Sequence, residues 1–209
     1  GLFLSHELRD LRGQRAVVLG IPRGGVIIAW ELARALEADL DVVLARKLRT
    51  PGQRELAMGS VAENGRLFLN ETIVRELGID YRYIQQEKER QMAQIALRAR
   101  QVRHILPKVP LQGRIVIVTD DGVATGATTQ AALWAVRQER PKTLIAAMPV
   151  GSEATVRRLA GDVDEMVCLR TPPSFMGVGQ FYVRFDPVED DEVLRILEEE
   201  RRRKRGPEP

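Results

Sequence analysis

The sequence has one cysteine, Cys168, and two histidines, His6 and His104. A single cysteine excludes an internal disulfide framework. Its place in an apolar, strand-like segment reads as a small buried hydrophobe rather than a reactive thiol. The histidines fall in separate segments without the spacing of a metal site. No apolar run reaches the roughly 18 residues of a membrane span, and no signal peptide precedes a small-residue cleavage site. A cytoplasmic protein with no membrane partner is therefore expected. Gly-Leu-Phe stands where an initiator Met would, which suggests that the natural N-terminus has been removed. Net charge is nearly missing as well, because 32 basic and 29 acidic residues leave only +3. The high pI thus says little about nucleic acid, which is not expected as a partner. Internal repeats and low-complexity linkers are absent.

What is present is ordinary globular material. An apolar content of 44% supports a sizeable core, and 209 residues fit one α/β domain or a core domain with a smaller addition. Four apolar runs have the composition of buried parallel strands: AVVLGI (16–21), DVVLAR (41–46), RIVIVT (114–119) and TLIAAMPV (143–150). VDEMVCL (163–169) is a weaker fifth. They lack polar alternation, as expected where helices cover both faces of a sheet. Helical segments at 25–37, 126–139 and 152–160 fall between them, so the fold class is α/β with an open, mostly parallel sheet flanked by helices.

The interval between the second and third strands differs in kind. Asn64-Gly65 sits between two extendable runs in SVAENGRLFLN (60–70), a hairpin signal. A helix-rich insertion, 71–105, follows. Its apolar residues Ile84, Met92, Ile95 and Val102 are sparse, which suits a partly exposed helix. An oligomer contact, such as a homodimer, would use it equally well. The C-terminal stretch 189–209 reads as a helix and basic tail. It carries Glu198–Arg202 and Glu200–Lys204 pairs four apart, and a basic run from Arg201 to Arg205. A solvated helix end is the favoured reading, with a patch for nucleic acid or acidic lipid as the lesser one.

The chemistry concentrates in IVIVTDDGVATGATTQAAL (115–133). The strand delivers Asp120 and Asp121 to the carboxyl end of the sheet, where open α/β folds bind ligands. Gly122 and Gly126 permit close backbone approach. The helix beginning near Gly126 points free N–H groups at the loop, a natural phosphate site. Thr125, Thr128 and Thr129 can add hydroxyls. Two carboxylates beside a phosphate would repel it unless they address another part of the ligand. Vicinal ribose hydroxyls suit them, and Mg²⁺ could share the site, bound to Asp120 and Asp121 directly or through water. A ribose 5-phosphate is the ligand so described. The plain alternative is a strand-to-helix turn capped by Asp and Thr.

VIVTDDGVATGATT resembles the phosphoribosyl pyrophosphate signature of type I phosphoribosyltransferases. The resemblance runs over roughly 15–188 and is closest to a group of unassigned substrate that shares PRGG, ARK…PG…ELA.G.V.E and DDG.ATGAT. It implies that Gly122, Val123, Ala124, Thr125, Gly126, Ala127, Thr128 and Thr129 hold the 5-phosphate and ribose. It implies a second anion loop in GIPRGGV (20–26), with Arg23, Gly24 and Gly25 at the pyrophosphate and a non-proline cis peptide at Arg23–Gly24. ARKLRTPGQRELAMGSVAE (45–63) is similar to the family's mobile catalytic lid, taken as 46–63. There Arg46, Lys47, Arg49 and Arg54 are dense, and Arg46 and Lys47 would meet the pyrophosphate.

Domain organisation follows as one phosphoribosyltransferase domain, 1–188, with a hood and acceptor region at 170–188. The implied reaction moves a 5-phosphoribosyl group from phosphoribosyl pyrophosphate to a nitrogenous acceptor with Mg²⁺, on Asp120, Asp121, Arg23 and Lys47. A non-catalytic sensor of the same ligand is the alternative. Ala124 departs from the 6-oxopurine salvage enzymes, which carry an aspartate there, so hypoxanthine and guanine are discounted. In a chain with 5% aromatics, Phe175, Phe181 and Tyr182 are the candidate acceptor contacts.

Overall fold

The computed structural model describes residues 1–205; residues 206–209 and the side chains of Arg54, Glu55 and Arg205 lie outside the described residues. Arg54 of the expected lid and the end of the basic tail fall there. The apolar runs form a five-stranded sheet of β1 (Val17–Gly20), β2 (Asp39–Val42), β6 (Ile115–Thr119), β7 (Thr143–Met148) and β8 (Glu165–Cys168), in the order β2-β1-β6-β7-β8. Every pairing in it is parallel. Successive strand side chains point to opposite faces. Val17, Leu19, Val116 and Val118 pack against Leu133 and Val136 of α5 (Ala127–Arg137) and Leu159 of α6 (Glu153–Ala160). Val18, Ile117 and Ile145 pack against Val26 and Leu32 of α2 (Gly24–Leu36) and Leu197 of α7 (Asp190–Arg205). Helices on both faces account for strands without polar alternation.

The expected second strand, 41–46, is corrected by the structure. Its first residues end β2, but the chain leaves the parallel sheet after Val43, whose N–H donates to Gly20 O at 3.0 Å. Two residues later β3 (Ala45–Thr50) begins a separate antiparallel sheet with β4 (Gln53–Ala62) and β5 (Leu67–Leu69). One apolar run thus serves two sheets. Periodicity cannot show such a break, because both halves want burial. Asn64-Gly65 turns the β4–β5 hairpin, with Gly65 at φ +75°, a conformation that glycine adopts without strain. Residues 46–63, expected as a basic lid, are largely this β3–β4 ribbon. It turns at Pro51-Gly52, where Thr50 Oγ1 donates to Gln53 O at 2.9 Å.

The insertion forms α3 (Glu71–Glu76) and the 25-residue α4 (Tyr81–Ile105), capped by Asn70 and Asp80. Helix α4 is more engaged than its sparse apolar residues suggest. Beside Ile84, Ile95 and Val102 it buries Glu87 and Gln91. The Glu87 carboxylate accepts from Gln91 Nε2 at 2.8 Å and from the Arg49 N–H of β3 at 3.3 Å. The tail is a helix, as expected, and one of its faces is packed on the fold. Helix α7 buries Val193, Ile196, Leu197 and Glu200. Glu200 pairs with Arg203 at 2.7 Å, and Lys204 reaches Asp39 of β2 at 3.0 Å. Arg202, Arg203 and Lys204 are nevertheless exposed, as at a solvated helix end, and Lys204 also lies 3.9 Å from Glu200, four residues earlier. Among the described residues no helix is long and apolar enough to cross a membrane.

Candidate active site

Strands β1 and β6 are adjacent and parallel, so the loops at their carboxyl ends meet. GIPRGGV follows β1 and the acid pair follows β6. The contact is close enough that a Cβ on Gly24 or Gly25 would force a neighbour to move. A Cβ on Gly24 would lie 2.0 Å from Asp121 Oδ2, and one on Gly25 would lie 2.7 Å from Thr119 O and 2.8 Å from Asp120 Cα. The Asp121 N–H donates to Asp120 Oδ1 at 2.9 Å, and the Gly25 N–H, in the first turn of α2, faces the same carboxylate and favours its charge. The non-proline cis bond lies between Pro22 and Arg23, one bond earlier than expected. Helix α2 already begins at Gly24, so the next bond, Arg23–Gly24, opens the helix.

Gly25→Ala is expected to lower stability by about 1–3 kcal/mol, because its new methyl meets backbone that cannot rotate away. Urea denaturation measures this. Gly24→Ala, which meets the mobile end of a carboxylate, should cost less.

Burial pushes the Asp120 carboxyl well above the usual carboxylate range, and the neighbouring Asp121 charge pushes it further. Burial raises Asp121 too, against the hydrogen bonds that favour its charge. Two acids that resist ionising together are a natural place for a cation. Among the described residues no group of three or more His, Cys, Asp or Glu could hold a metal by itself. A divalent ion here would therefore take one or two carboxylates and complete its shell from ligand oxygens and water, as Mg²⁺ does at phosphate sites.

The loop after the acids is held from behind. Ala124 O accepts from Thr155 Oγ1 at 2.6 Å and from Ser152 Oγ at 3.1 Å, and Thr125 O accepts from Arg158 Nη2 at 2.6 Å. Val123 O accepts from the Ser152 N–H at 3.0 Å. These carbonyls are tied to α6 and its N-cap, and the loop runs into the first turn of α5, where the amides of Ala127, Thr128 and Thr129 have no partner within the helix. Gly126 caps α5 at φ +71°, where a Cβ would also meet Thr155 Cγ2 at 2.5 Å. Gly122 packs on Val178, where a Cβ would come within 2.7 Å. Thr125 and Thr128 are exposed, whereas Thr129 is buried. Ser152, Thr155 and Arg158 escape sequence reasoning because they act through a loop about 30 residues earlier, with no local pattern to mark them.

The remaining candidates divide between two clefts. One, of about 300 Å³, holds Pro22, Arg46 and Thr128. The other, of about 450 Å³, holds Arg23, Gly24, Asp121 and Tyr182. Arg23 and Arg46, both expected at the pyrophosphate, line different members of this pair of clefts, and Arg23 pairs with Glu189 at 3.2 Å. Lys47 follows Arg46 on β3, paired in register with Ser60 of β4, so alternation turns the two side chains to opposite faces.

Tyr182 has a second role besides an aromatic wall. Its hydroxyl donates to Asp121 O at 2.5 Å, and burial, with the two aspartates, pushes its pKa up to about 12. Phe181 and Tyr182 line a third cavity of about 650 Å³ beside Phe3, His6 and Val150. Phe175 stacks on Phe181 with centroids 5.6 Å apart. Ala124 is exposed on the loop after the acid pair. Cys168 donates to Arg170 O at 3.3 Å, and burial raises its pKa, so it is no activated nucleophile.

Known proteins share this arrangement. The family model for the phosphoribosyl transferase domain matches residues 3–185. Two proteins of Mycobacterium tuberculosis, from strains CDC 1551 and H37Rv, are each named "Putative phosphoribosyl transferase" and are 42% identical over 198 residues. The alignment covers 95% of this chain and 45% of each relative, so the chain spans about half the length of the curated relatives it matches. The crystal structure of TT1426 from Thermus thermophilus superposes with a TM-score of 0.89 at 43% identity, covering 94% of this chain and 93% of that one. The chain belongs to the phosphoribosyl transferase family.

Proposed function

We propose that the protein binds phosphoribosyl pyrophosphate with Mg²⁺ across the joined ends of β1 and β6, and transfers the 5-phosphoribosyl group to a nitrogenous acceptor. A nucleobase is the favoured acceptor, and pyrophosphate is the product. The observation that carries this reading is the contact of Gly24 and Gly25 with the acid pair. Two loops suited to anions flank two carboxylates, which matches a sugar with phosphate groups at both ends. The α5 amides and the exposed hydroxyls of Thr125 and Thr128 would anchor the 5-phosphate away from the reacting carbon, so that their binding energy positions the sugar. Asp120 and Asp121 would accept from the ribose hydroxyls and hold Mg²⁺, and their charge would favour the cationic sugar of the transition state. When bound, the metal would neutralise the departing pyrophosphate. Arg23 and Arg46 would add fixed positive charge near that group, and the β3–β4 ribbon would limit the access of water.

Phe181 and Tyr182, with Phe175 behind Phe181, would offer the acceptor an aromatic face. Ala124 offers no carboxylate to a 6-oxopurine, so adenine-like or other nitrogenous acceptors rank ahead of hypoxanthine and guanine. Isothermal calorimetry tests the donor. Phosphoribosyl pyrophosphate should bind in the micromolar range with Mg²⁺ and more weakly without it, and no binding at millimolar ligand would overturn the proposal. A pyrophosphate-release assay across nucleobases then separates enzyme from sensor. Binding without turnover on any acceptor would favour a sensor.

A further inference from the structure

The insertion helix α4 lies against one wall of the proposed site. Gln94, Arg98 and Gln101 recur at four- and three-residue spacing, so they share one stripe of the helix. All three line the cleft that also holds Pro22, Arg46 and Thr128. Arg46 Nη2 donates to Gln94 Oε1, which fixes the guanidinium of β3 against α4. Arg46 also sits in a field of its own sign. Burial depresses its pKa, and Arg98 and Arg49 lower it further. Cations gathered in this way repel one another and favour an anion between them.

Two acids at the start of α7 stand in for that anion. Asp190, which also lines the cleft, pairs with Arg98 at 2.9 Å, and the preceding residue, Glu189, pairs with Arg23 at 3.2 Å. Both ion pairs are substantially solvent-exposed, so neither holds its arginine strongly and each can be exchanged for a ligand oxyanion. Adjacent acids at the entry to α7 thus hold the arginine of the PRGG loop and one arginine of α4.

We infer that α4 completes a diphosphate-binding cleft, in which Arg98 joins Arg46 on the pyrophosphate group and Asp190 is the internal counterion that the ligand displaces. The inference rests on the donor reading above and adds to it a role for the insertion. Arg98 is a binding residue here, and Gln94 positions Arg46.

Binding of inorganic pyrophosphate and of ribose 5-phosphate, each with Mg²⁺, is measured by calorimetry on the whole chain. Arg98→Gln should bind pyrophosphate about tenfold more weakly, with ribose 5-phosphate changed less than twofold, because only the former carries the diphosphate. Arg98→Lys should recover part of the loss. Asp190→Asn should bind pyrophosphate about three- to fivefold more tightly, an opposite change that damaged folding would not produce. Unchanged pyrophosphate affinity in Arg98→Gln, equal weakening for both ligands, or no pyrophosphate binding by the wild type would each overturn the inference. Ribose 5-phosphate binding by the wild type distinguishes the two failures. If it persists, only the α4 cleft is lost; if it too is absent, the donor reading falls as well.

Discussion

Asp120→Asn should raise the stability of the free protein at pH 8 while reducing turnover by about a thousandfold or more. The first effect follows from the cost of burying the acid. Asp120 is pushed up to about 8 by burial and then by the Asp121 charge, whereas an unfolded aspartate titrates near 3.9. Between those values the folded state holds more protons than the unfolded one, so stability falls as pH rises from about 4 to about 8. Below that window both states are protonated and the penalty vanishes. Asparagine does not ionise, and its Oδ1 can still accept from the Asp121 N–H. The variant should therefore match the wild type near pH 4 and exceed it by about 1–3 kcal/mol at pH 8. Urea denaturation across that range measures the difference, and an Asp120→Asn variant less stable than the wild type at pH 8 would contradict it. The second effect has the same cause, since the carboxylates are costly alone and useful only with a cation and a sugar. In Asp120→Asn/Asp121→Asn, Mg²⁺ with phosphoribosyl pyrophosphate should no longer raise the melting temperature. Retained turnover would show that the acids are only turn caps.

That pair is legible in the sequence because local chemistry marks it: four apolar residues, two acids, then Thr-Gly-x-Thr opening a helix. The parallel sheet is legible for a related reason, since strands buried on both faces and separated by helical segments leave a pattern within each segment. The β4–β5 hairpin likewise announces itself in Asn64-Gly65, where the turn demands that glycine. Other features have no local signature. Thr155 and Arg158 support the loop after the acid pair from a separate helix, and their own sequence is that of any amphipathic helix. Glu189 and Asp190 look like the acidic first turn that favours any helix start, and only the fold brings them to Arg23 and Arg98. Tyr182 is conspicuous as a rare aromatic, yet its hydroxyl rather than its ring fixes Asp121. A count of apolar residues makes α4 look loosely attached, while part of its attachment is polar.

That polar attachment yields the larger stability prediction: Arg103→Met should destabilise the protein by about 3–5 kcal/mol. Arg103 Nη1 donates to Asp41 Oδ1 at 2.6 Å, and its Nε and Nη2 grip Glu63 at 2.9 and 2.8 Å in a bidentate pair. One guanidinium thus joins α4 to β2 and to the end of β4. Asp41 is 1% exposed, and burial already raises its pKa against the pull of Arg103 and of the Val109 and Val42 N–H groups. Removing the cation leaves a buried carboxylate that must protonate on folding. The variant should therefore lose further stability as pH rises above the normal aspartate range, a slope that simple loss of packing would not give. Adding Asp41→Asn removes that charge and should recover part of the loss, and the coupling in the double-mutant cycle measures the pair itself. A loss below about 1 kcal/mol, or no recovery in the double variant, would mean that the apolar packing of Ile84, Ile95 and Val102 and the bonds of Glu87, Gln94 and Arg98 hold α4 without Arg103. The consequence reaches the site because Arg103 lies on the same helix as Gln94 and Arg98. A loosened α4 should weaken pyrophosphate binding in Arg103→Met although Arg103 is not among the residues lining that cleft.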